Sequence, residues 1–198
     1  PEYDQLAGMT AYSAALVAAG HLPPHRVALA HPVIRDAWYS GSPQYLRTIA
    51  DGEVEIISRT LDDRFWIVVY VVDDGPVRYY LYDRQSRQAR FLFSNRPALE
   101  GQPLVKMHSA IIKSRDGLDL VAYYSLPAES DSKGDGLPDH PVSMVLIPHG
   151  GPWARDLWGY NPLHQWLANR GYAVLAVNFR ASTGFGKTFT NAGKLEWG

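Results

Sequence analysis

The feature that most constrains the fold is a strand, loop, helix and strand pattern in the last third of the sequence. A mostly apolar run over residues 142–147 is followed by a glycine-rich loop. Residues 161–171 carry the start and stop signals of a helix. The near-continuous apolar run over 172–178 is typical of a strand buried on both faces. Two strands joined through a helix form a parallel pair with a right-handed crossover, so the pattern predicts an α/β domain.

The glycine-rich loop contains His149, Gly150 and Gly151. Glycine has no Cβ, so the backbone N–H groups here are unshielded and free to take unusual dihedral angles. Open α/β sheets bind ligands outside the carboxyl ends of their strands, and α/β-hydrolases place one donor of the oxyanion hole in a His-Gly-Gly loop after an early strand. The loop therefore predicts half of an acyl-transfer site. A tight turn that needs glycine only for its shape is the alternative.

The helix between the two strands has clear local signals. Asn161 is the predicted N-cap, Pro162 occupies the first helical position and Gly171 lies just past the end. A second helix is predicted to begin near Lys187 and to continue to the end of the sequence.

The middle of the chain predicts antiparallel β-structure. Short β-rich runs alternate with turn sequences, which indicates a four-stranded meander and then a hairpin around an Asp-Gly turn. A sandwich, a barrel and one propeller blade are all compatible with the meander. The predicted strands are 54–59, 64–72, 77–82 and 88–93 in the meander, and 109–114 and 118–126 in the hairpin. Nearer the start, the pattern predicts helices over 3–20 and 43–50 and short strands over 27–30 and 33–34.

Composition limits the possible partners. The 198 residues carry a formal net charge of −1, so bulk electrostatics suggest neither nucleic acid nor an anionic membrane as a partner. The longest wholly apolar run, 65–72, is far shorter than the roughly 20 residues of a membrane-spanning helix. The absence of cysteine excludes disulfides and thiolate metal sites within the chain. The histidines show no metal-binding spacing, so we expect no metal and no cofactor.

Several segments together resemble the prolyl oligopeptidase family of serine peptidases, in particular its acylaminoacyl-peptidase and dipeptidyl-peptidase-like branch. The resemblance covers roughly residues 53–198. The segments that carry it are HGGPWARD (149–156), WGY (158–160), QWLANRGYAVL (165–175), NFR (178–180) and STGFGK (182–187), with SRTLDD (58–63) and RDGL (115–118) further upstream.

The resemblance implies a β-propeller that restricts access to an α/β-hydrolase domain, so that short peptides reach a Ser-Asp-His triad. It implies the C-terminal part of a β-propeller-like domain, its last blade or blades, over residues 1–95. A linker over 96–106 and the N-terminal part of the hydrolase domain over 107–198 follow. The family's nucleophile lies in a Gly-x-Ser-x-Gly elbow, and no such motif occurs here. We therefore expect all three triad residues beyond Gly198 and no activity from this chain alone. The expected location is the cytoplasm, and a homo-oligomer is left open.

The candidate site residues have distinct expected roles. Gly151, with Gly150, is the expected oxyanion contact, whereas His149 is expected to order the loop rather than act as a base. Arg155 and Arg180 are candidate substrate contacts, and bracing of the neighbouring loops is the alternative for each.

The residue at position 181 departs from the resemblance. The family pattern suggests glycine there, and this chain has Ala181. The loop over 181–187 could therefore differ in conformation from that of the family.

Three alternative functions remain open from the sequence. Residues 181–188 fit a relaxed phosphate-loop pattern, which would indicate an ATP-binding protein. An esterase or lipase could use the same oxyanion loop, because a fold does not fix a function. A non-catalytic β-rich binding module would account for the meander and would leave the His-Gly-Gly loop without a role.

Overall fold

The computed structural model describes residues 45–151 and 153–196. The helix predicted over 3–20 and the strands predicted over 27–30 and 33–34 lie outside these residues. Of the helix predicted over 43–50, the described part has helical Tyr45 and Leu46 followed by a turn. The chain divides into two compact units. Of the described residues, one unit includes 45–148 and 156–177, and the other includes 149–151, 153–155 and 178–196.

The first sheet is an antiparallel meander in which each strand pairs with the next along the chain, as predicted. Its inner face is aromatic: Trp66 and Tyr82 are directly opposite each other across neighbouring strands, and both are fully buried. Tyr70 is also buried, and its hydroxyl donates a hydrogen bond to the carbonyl of Leu46 at 2.6 Å. The strands are β1 (Glu53–Arg59), β2 (Phe65–Val71), β3 (Arg78–Asp83) and β4 (Gln88–Ser94), each within one residue of its predicted ends.

The second sheet has four strands in the order β5-β6-β8-β7. The predicted hairpin is confirmed as an antiparallel pair, β5 and β6. The predicted parallel pair is also confirmed, because β7 and β8 run parallel. β8 lies between β6 and β7, so the crossover connection inserts it into the middle of the sheet. The strands are β5 (His108–Lys113), β6 (Asp119–Ser125), β7 (Met144–Leu146) and β8 (Ala173–Val177).

Helix α1 (Pro162–Ala168) connects β7 to β8 and has the predicted cap. The side chain of Asn161 accepts hydrogen bonds from the amides of Leu163 at 2.9 Å and His164 at 3.3 Å. Gly171 follows the helix with a φ of 83°, a conformation that favours glycine. Residues next to the helix in sequence therefore account for both ends of α1.

Helix α2 begins at Lys187 as predicted, but the prediction that it continues to the end of the sequence is wrong. It ends at Asn191 and is followed by turns. Gly193 lies so close to Ala181 that a Cβ at position 193 would overlap the Cβ of Ala181. Glycine is a weak helix former. Gly193 makes this contact from the turn that follows α2.

Within the larger unit, hydrogen bonds hold residues 105–107, which precede β5, to the end of the meander, to α1 and to Trp158. The carboxylate of Asp73, just after β2, accepts a hydrogen bond from the amide of Met107 at 2.7 Å. The Gln165 side chain of α1 pairs with the backbone of Val105 through two hydrogen bonds, of 2.9 and 2.8 Å. The indole of Trp158 donates to the carbonyl of Met107 at 2.8 Å. Residues 105–107 are thus held from both sides.

None of the helices in the described residues is long and apolar enough to cross a membrane.

Candidate functional site

The candidate site is built from the two loops that leave the carboxyl ends of β7 and β8. The two strands are parallel, so both loops emerge at the same edge of the sheet. The amide of Ile147 donates to the carbonyl of Leu175 at 2.8 Å, which keeps the chain paired up to the residue before Pro148. The loop containing His149, Gly150 and Gly151 begins immediately afterwards.

Gly150 and Gly151 are both exposed. A Cβ at Gly150 would meet no atom within 4 Å, so this position is open. Gly151 has a φ of 143°, and a Cβ there would come within 3.1 Å of the amide nitrogen of Trp153. Within the described residues, neither glycine amide donates a hydrogen bond. The loop therefore has two exposed glycines whose amides have no acceptor among the described residues, and position 151 requires glycine.

His149 is held on three sides. Its Nδ1 lies 2.9 Å from the carbonyl oxygen of Gly150, and its Nε2 lies 2.7 Å from the hydroxyl oxygen of Ser182. The imidazole also stacks on the ring of Phe179, with centroids 4.3 Å apart and an interplanar angle of 18°. These three contacts are all with the two loops themselves, and the role of His149 in ordering the loop stays a prediction.

The contact between His149 and Ser182 resembles a catalytic base beside a nucleophile, but burial argues against that role. Ser182 has no solvent-exposed surface, so its hydroxyl is closed to a substrate carbonyl. The same holds for a second pair, in which the hydroxyl of Ser125 lies 3.1 Å from Nδ1 of His164. Burial lowers the pKa of His164 to about 4, so this ring is neutral at pH 7. Both pairs are therefore structural.

Arg155 lies against the loop that follows β8. Its guanidinium is 4.8 Å from the ring centroid of Phe185 and packs against Gly184, where a Cβ would overlap it. One residue earlier, the carbonyl of Ala154 accepts a hydrogen bond from the amide of Thr183 at 3.0 Å. These contacts brace the two loops against each other, which was the alternative to substrate binding. A substrate contact by Arg155 stays a prediction.

Arg180 lines a cavity of about 240 Å³ beside the His-Gly-Gly loop. His149 and Gly151 form one part of the lining, and Ala181 and Gly193 form another. Arg180 is thus brought to the same cavity as the candidate oxyanion residues. Its role as a substrate contact stays a prediction.

Ala181 has the backbone conformation that favours glycine, the residue that the family pattern suggests at this position. It has a φ of 78°, the left-handed conformation that glycine adopts without strain. Its amide donates to the carbonyl of Phe189 at 3.1 Å, and its side chain is buried. The loop therefore has the conformation that a glycine would favour, with alanine in its place.

Sequence reasoning missed the part played by Ser182. The residue is 33 positions from His149 along the chain, in the loop that follows β8. The usable signal was that both loops follow strands predicted to be parallel. Among the described residues, no group of three or more histidine, aspartate or glutamate side chains could hold a metal ion.

The strand order β5-β6-β8-β7, the crossover through α1 and the His-Gly-Gly loop after β7 define the beginning of an α/β-hydrolase sheet, preceded in the chain by an antiparallel meander. Comparison with known proteins gives the family. Residues 158–198 match the prolyl oligopeptidase family. The chain belongs to that family.

Two curated relatives and one solved structure illustrate the similarity. Over 170 residues the chain is 52% identical to dipeptidyl aminopeptidase BIII of Pseudoxanthomonas mexicana, covering 83% of this chain and 25% of that protein. It is 41% identical over 170 residues to dipeptidyl peptidase family member 6 of Caenorhabditis elegans, covering 78% and 23%. The structure of Pyrococcus horikoshii acylaminoacyl peptidase aligns with a TM-score of 0.52 at 23% identity, covering 72% and 21%, and shows the same fold. The chain spans about a quarter of the length of these curated relatives.

Proposed function

We propose that this chain supplies the oxyanion-binding loop of a serine peptidase that hydrolyses short peptides by releasing aminoacyl or acylaminoacyl units. The observation that carries the proposal is the pair of exposed glycines, Gly150 and Gly151, in the loop after β7, in a chain of the prolyl oligopeptidase family. In this proposal the Ser-Asp-His triad lies C-terminal to residue 198. Relatives named as dipeptidyl peptidases support a peptide substrate.

The chemistry assigns this segment one part of the reaction. The serine attacks the scissile carbonyl and passes its proton to the histidine, which the aspartate orients. Negative charge then develops on the carbonyl oxygen. In this fold two backbone N–H groups stabilise this charge by donating hydrogen bonds to the oxygen. One belongs to the residue after the nucleophile and the other to the loop after an early strand. Gly151 would supply the second donor, and its φ of 143° restricts the position to glycine.

The structure and the family bear differently on the three alternatives. An esterase or lipase would use the same loop, and the meander, held through Asp73 to Met107 just before β5, favours a gated peptidase. The ATP-binding alternative fits poorly, because Arg155 covers Gly184 in the middle of the phosphate-loop pattern. A binding module alone does not account for the His-Gly-Gly loop.

The test uses the full-length protein that contains these 198 residues. It is incubated with dipeptidyl and acylaminoacyl p-nitroanilides, with p-nitrophenyl esters, and with a fluorophosphonate that labels activated serines. We expect hydrolysis of at least one anilide and one labelled serine C-terminal to residue 198. Residues 1–198 alone should show no turnover above buffer.

Other outcomes would contradict the proposal. Hydrolysis of the esters with no hydrolysis of any anilide would indicate the esterase or lipase alternative. A labelled serine within residues 1–198, or turnover by those residues alone, would contradict the assignment of the triad. Saturable binding of Mg²⁺-ATP that is lost in Lys187→Ala would indicate the phosphate-loop alternative.

A further inference from the structure

We propose that His149 is a positioning residue that orients the Gly151 N–H by holding the carbonyl of the same peptide group. The inference rests on the proposed function, because it concerns the donor that would contact the oxyanion. It assigns a defined task to the His149 side chain and explains why a buried serine lies beneath the imidazole.

The geometry of the peptide bond links the carbonyl to the donor. The Gly150 carbonyl and the Gly151 N–H belong to one planar trans peptide, in which the two groups point in opposite directions. The imidazole Nδ1 is 2.9 Å from the carbonyl oxygen. While this contact holds the carbonyl towards the imidazole, the N–H must point to the other side.

The contacts also fix where the imidazole carries its proton. A carbonyl oxygen can only accept, so Nδ1 of His149 must be the protonated nitrogen. In the neutral ring Nε2 is then an acceptor, and the Ser182 hydroxyl donates to it at 2.7 Å. A single tautomer satisfies both contacts.

The support beneath the imidazole is rigid. Ser182 is fully buried, and its own amide donates to the carbonyl of Phe179 at 3.0 Å. The Phe179 ring stacks on the imidazole. The next residue, Thr183, is tied to Ala154, beyond the glycines of the other loop, by a 3.0 Å hydrogen bond. The ring cannot rotate without losing the serine contact or the stacking.

The Gly150–Gly151 peptide needs such a restraint because sterics supply little of it. Glycine on both sides leaves the peptide with more rotational freedom than any other pair of residues. Both residues are exposed, and the surroundings of Gly150 are open. The hydrogen bond from His149 is the restraint that the described residues provide at this carbonyl.

Two substitutions at position 149 distinguish the roles of the two ring nitrogens, Nδ1 and Nε2. The amide nitrogen of asparagine is as many bonds from the backbone as Nδ1, so His149→Asn can still donate to the Gly150 carbonyl. The amide of glutamine matches Nε2, so His149→Gln can keep the Ser182 contact and loses the carbonyl contact. Ser182→Ala removes the support and leaves the imidazole. His140→Gln, at an exposed histidine outside the loop, is the matched control.

Steady-state kinetics in the full-length protein give the first readout. We expect His149→Gln to lower kcat for a hydrolysed anilide by about tenfold to a hundredfold with little change in KM, because the donor is misaligned and not removed. His149→Asn should recover most of kcat, and Ser182→Ala should fall between the two. Inhibition by a peptidyl aldehyde, whose adduct carries the oxyanion, should weaken by the same factor as kcat. Equal kcat in His149→Gln and wild type, or equal loss in His149→Gln and His149→Asn, would overturn the proposal.

Crystal structures of the same variants give a readout that does not depend on activity. We expect the Gly150–Gly151 peptide to change orientation in His149→Gln and to keep it in His149→Asn. An unchanged peptide in His149→Gln would overturn the role of His149 even if the protein is an active peptidase. Absence of peptidase activity in the wild type would instead contradict the proposed function, and the two failures are therefore distinguishable.

Discussion

Gly193 packs directly against Ala181, with no room for a side chain at position 193. Ala181 is buried and has a left-handed φ of 78°, and it belongs to the loop that carries Ser182. The contact fixes the turn after α2 against the loop after β8.

Replacing Gly193 by alanine should therefore destabilise the protein, and a second substitution should repair the damage. We expect Gly193→Ala to cost about 1–3 kcal/mol, the usual penalty of overpacking. Adding Ala181→Gly removes the overlapping Cβ and should restore most of the loss. Denaturant unfolding of the two single variants and the double variant measures this coupling. Additive free energies in the double variant would show that the two residues do not clash.

The hydrogen bond between Asp73 and Met107 should contribute measurably to stability. Asp73→Ala leaves the buried amide of Met107 without its acceptor, which should lower the free energy of unfolding by about 1–3 kcal/mol. Asp73→Asn keeps an acceptor oxygen and should lose less. Urea unfolding at constant pH compares the two variants. Equal losses would mean that the negative charge of Asp73, paired with Lys106 at 4.0 Å, matters more than the hydrogen bond.

His164 should make stability fall as the pH falls below neutral. Burial lowers its pKa from 6.5 to about 4, so between these values the unfolded chain binds a proton that the folded chain does not. At about 1.4 kcal/mol per pKa unit, the loss between pH 7 and pH 5 should be about 2 kcal/mol. Unfolding measured across this range in the wild type and in His164→Gln isolates the effect. A wild-type slope equal to that of the variant would contradict it.

Much of the fold follows from local sequence signals. The two ends of α1 need only Asn161, Pro162 and Gly171, which act on the backbone of the adjacent turns. The meander is set by short strands and tight turns, so its strand order follows the chain. These elements are predictable because the residues that determine them are close in sequence.

The remainder depends on contacts between distant residues. The sequence pattern of each strand does not predict that β8 lies between β6 and β7, because this order depends on pairing between strands distant in sequence. The contact of Ser182 with His149 is also long-range, because it joins loops that follow different strands. The His-Gly-Gly motif could indicate where the donors lie, whereas the support beneath the imidazole required the structure.

The proposed contact between the Gly151 N–H and the oxyanion is best tested by measuring kcat in Gly151→Val. Valine does not adopt a φ of 143°, so the substitution must reorient this amide. Gly171→Val is the matched control, since Gly171 also has a positive φ, of 83°, and lies outside the loop.

In the full-length protein with a hydrolysed anilide, we predict that Gly151→Val lowers kcat by about 10²–10³, the effect of losing one oxyanion donor. Gly171→Val should lose stability and keep its kcat. An unchanged kcat in a folded Gly151→Val variant would contradict the role of the Gly151 N–H as an oxyanion donor.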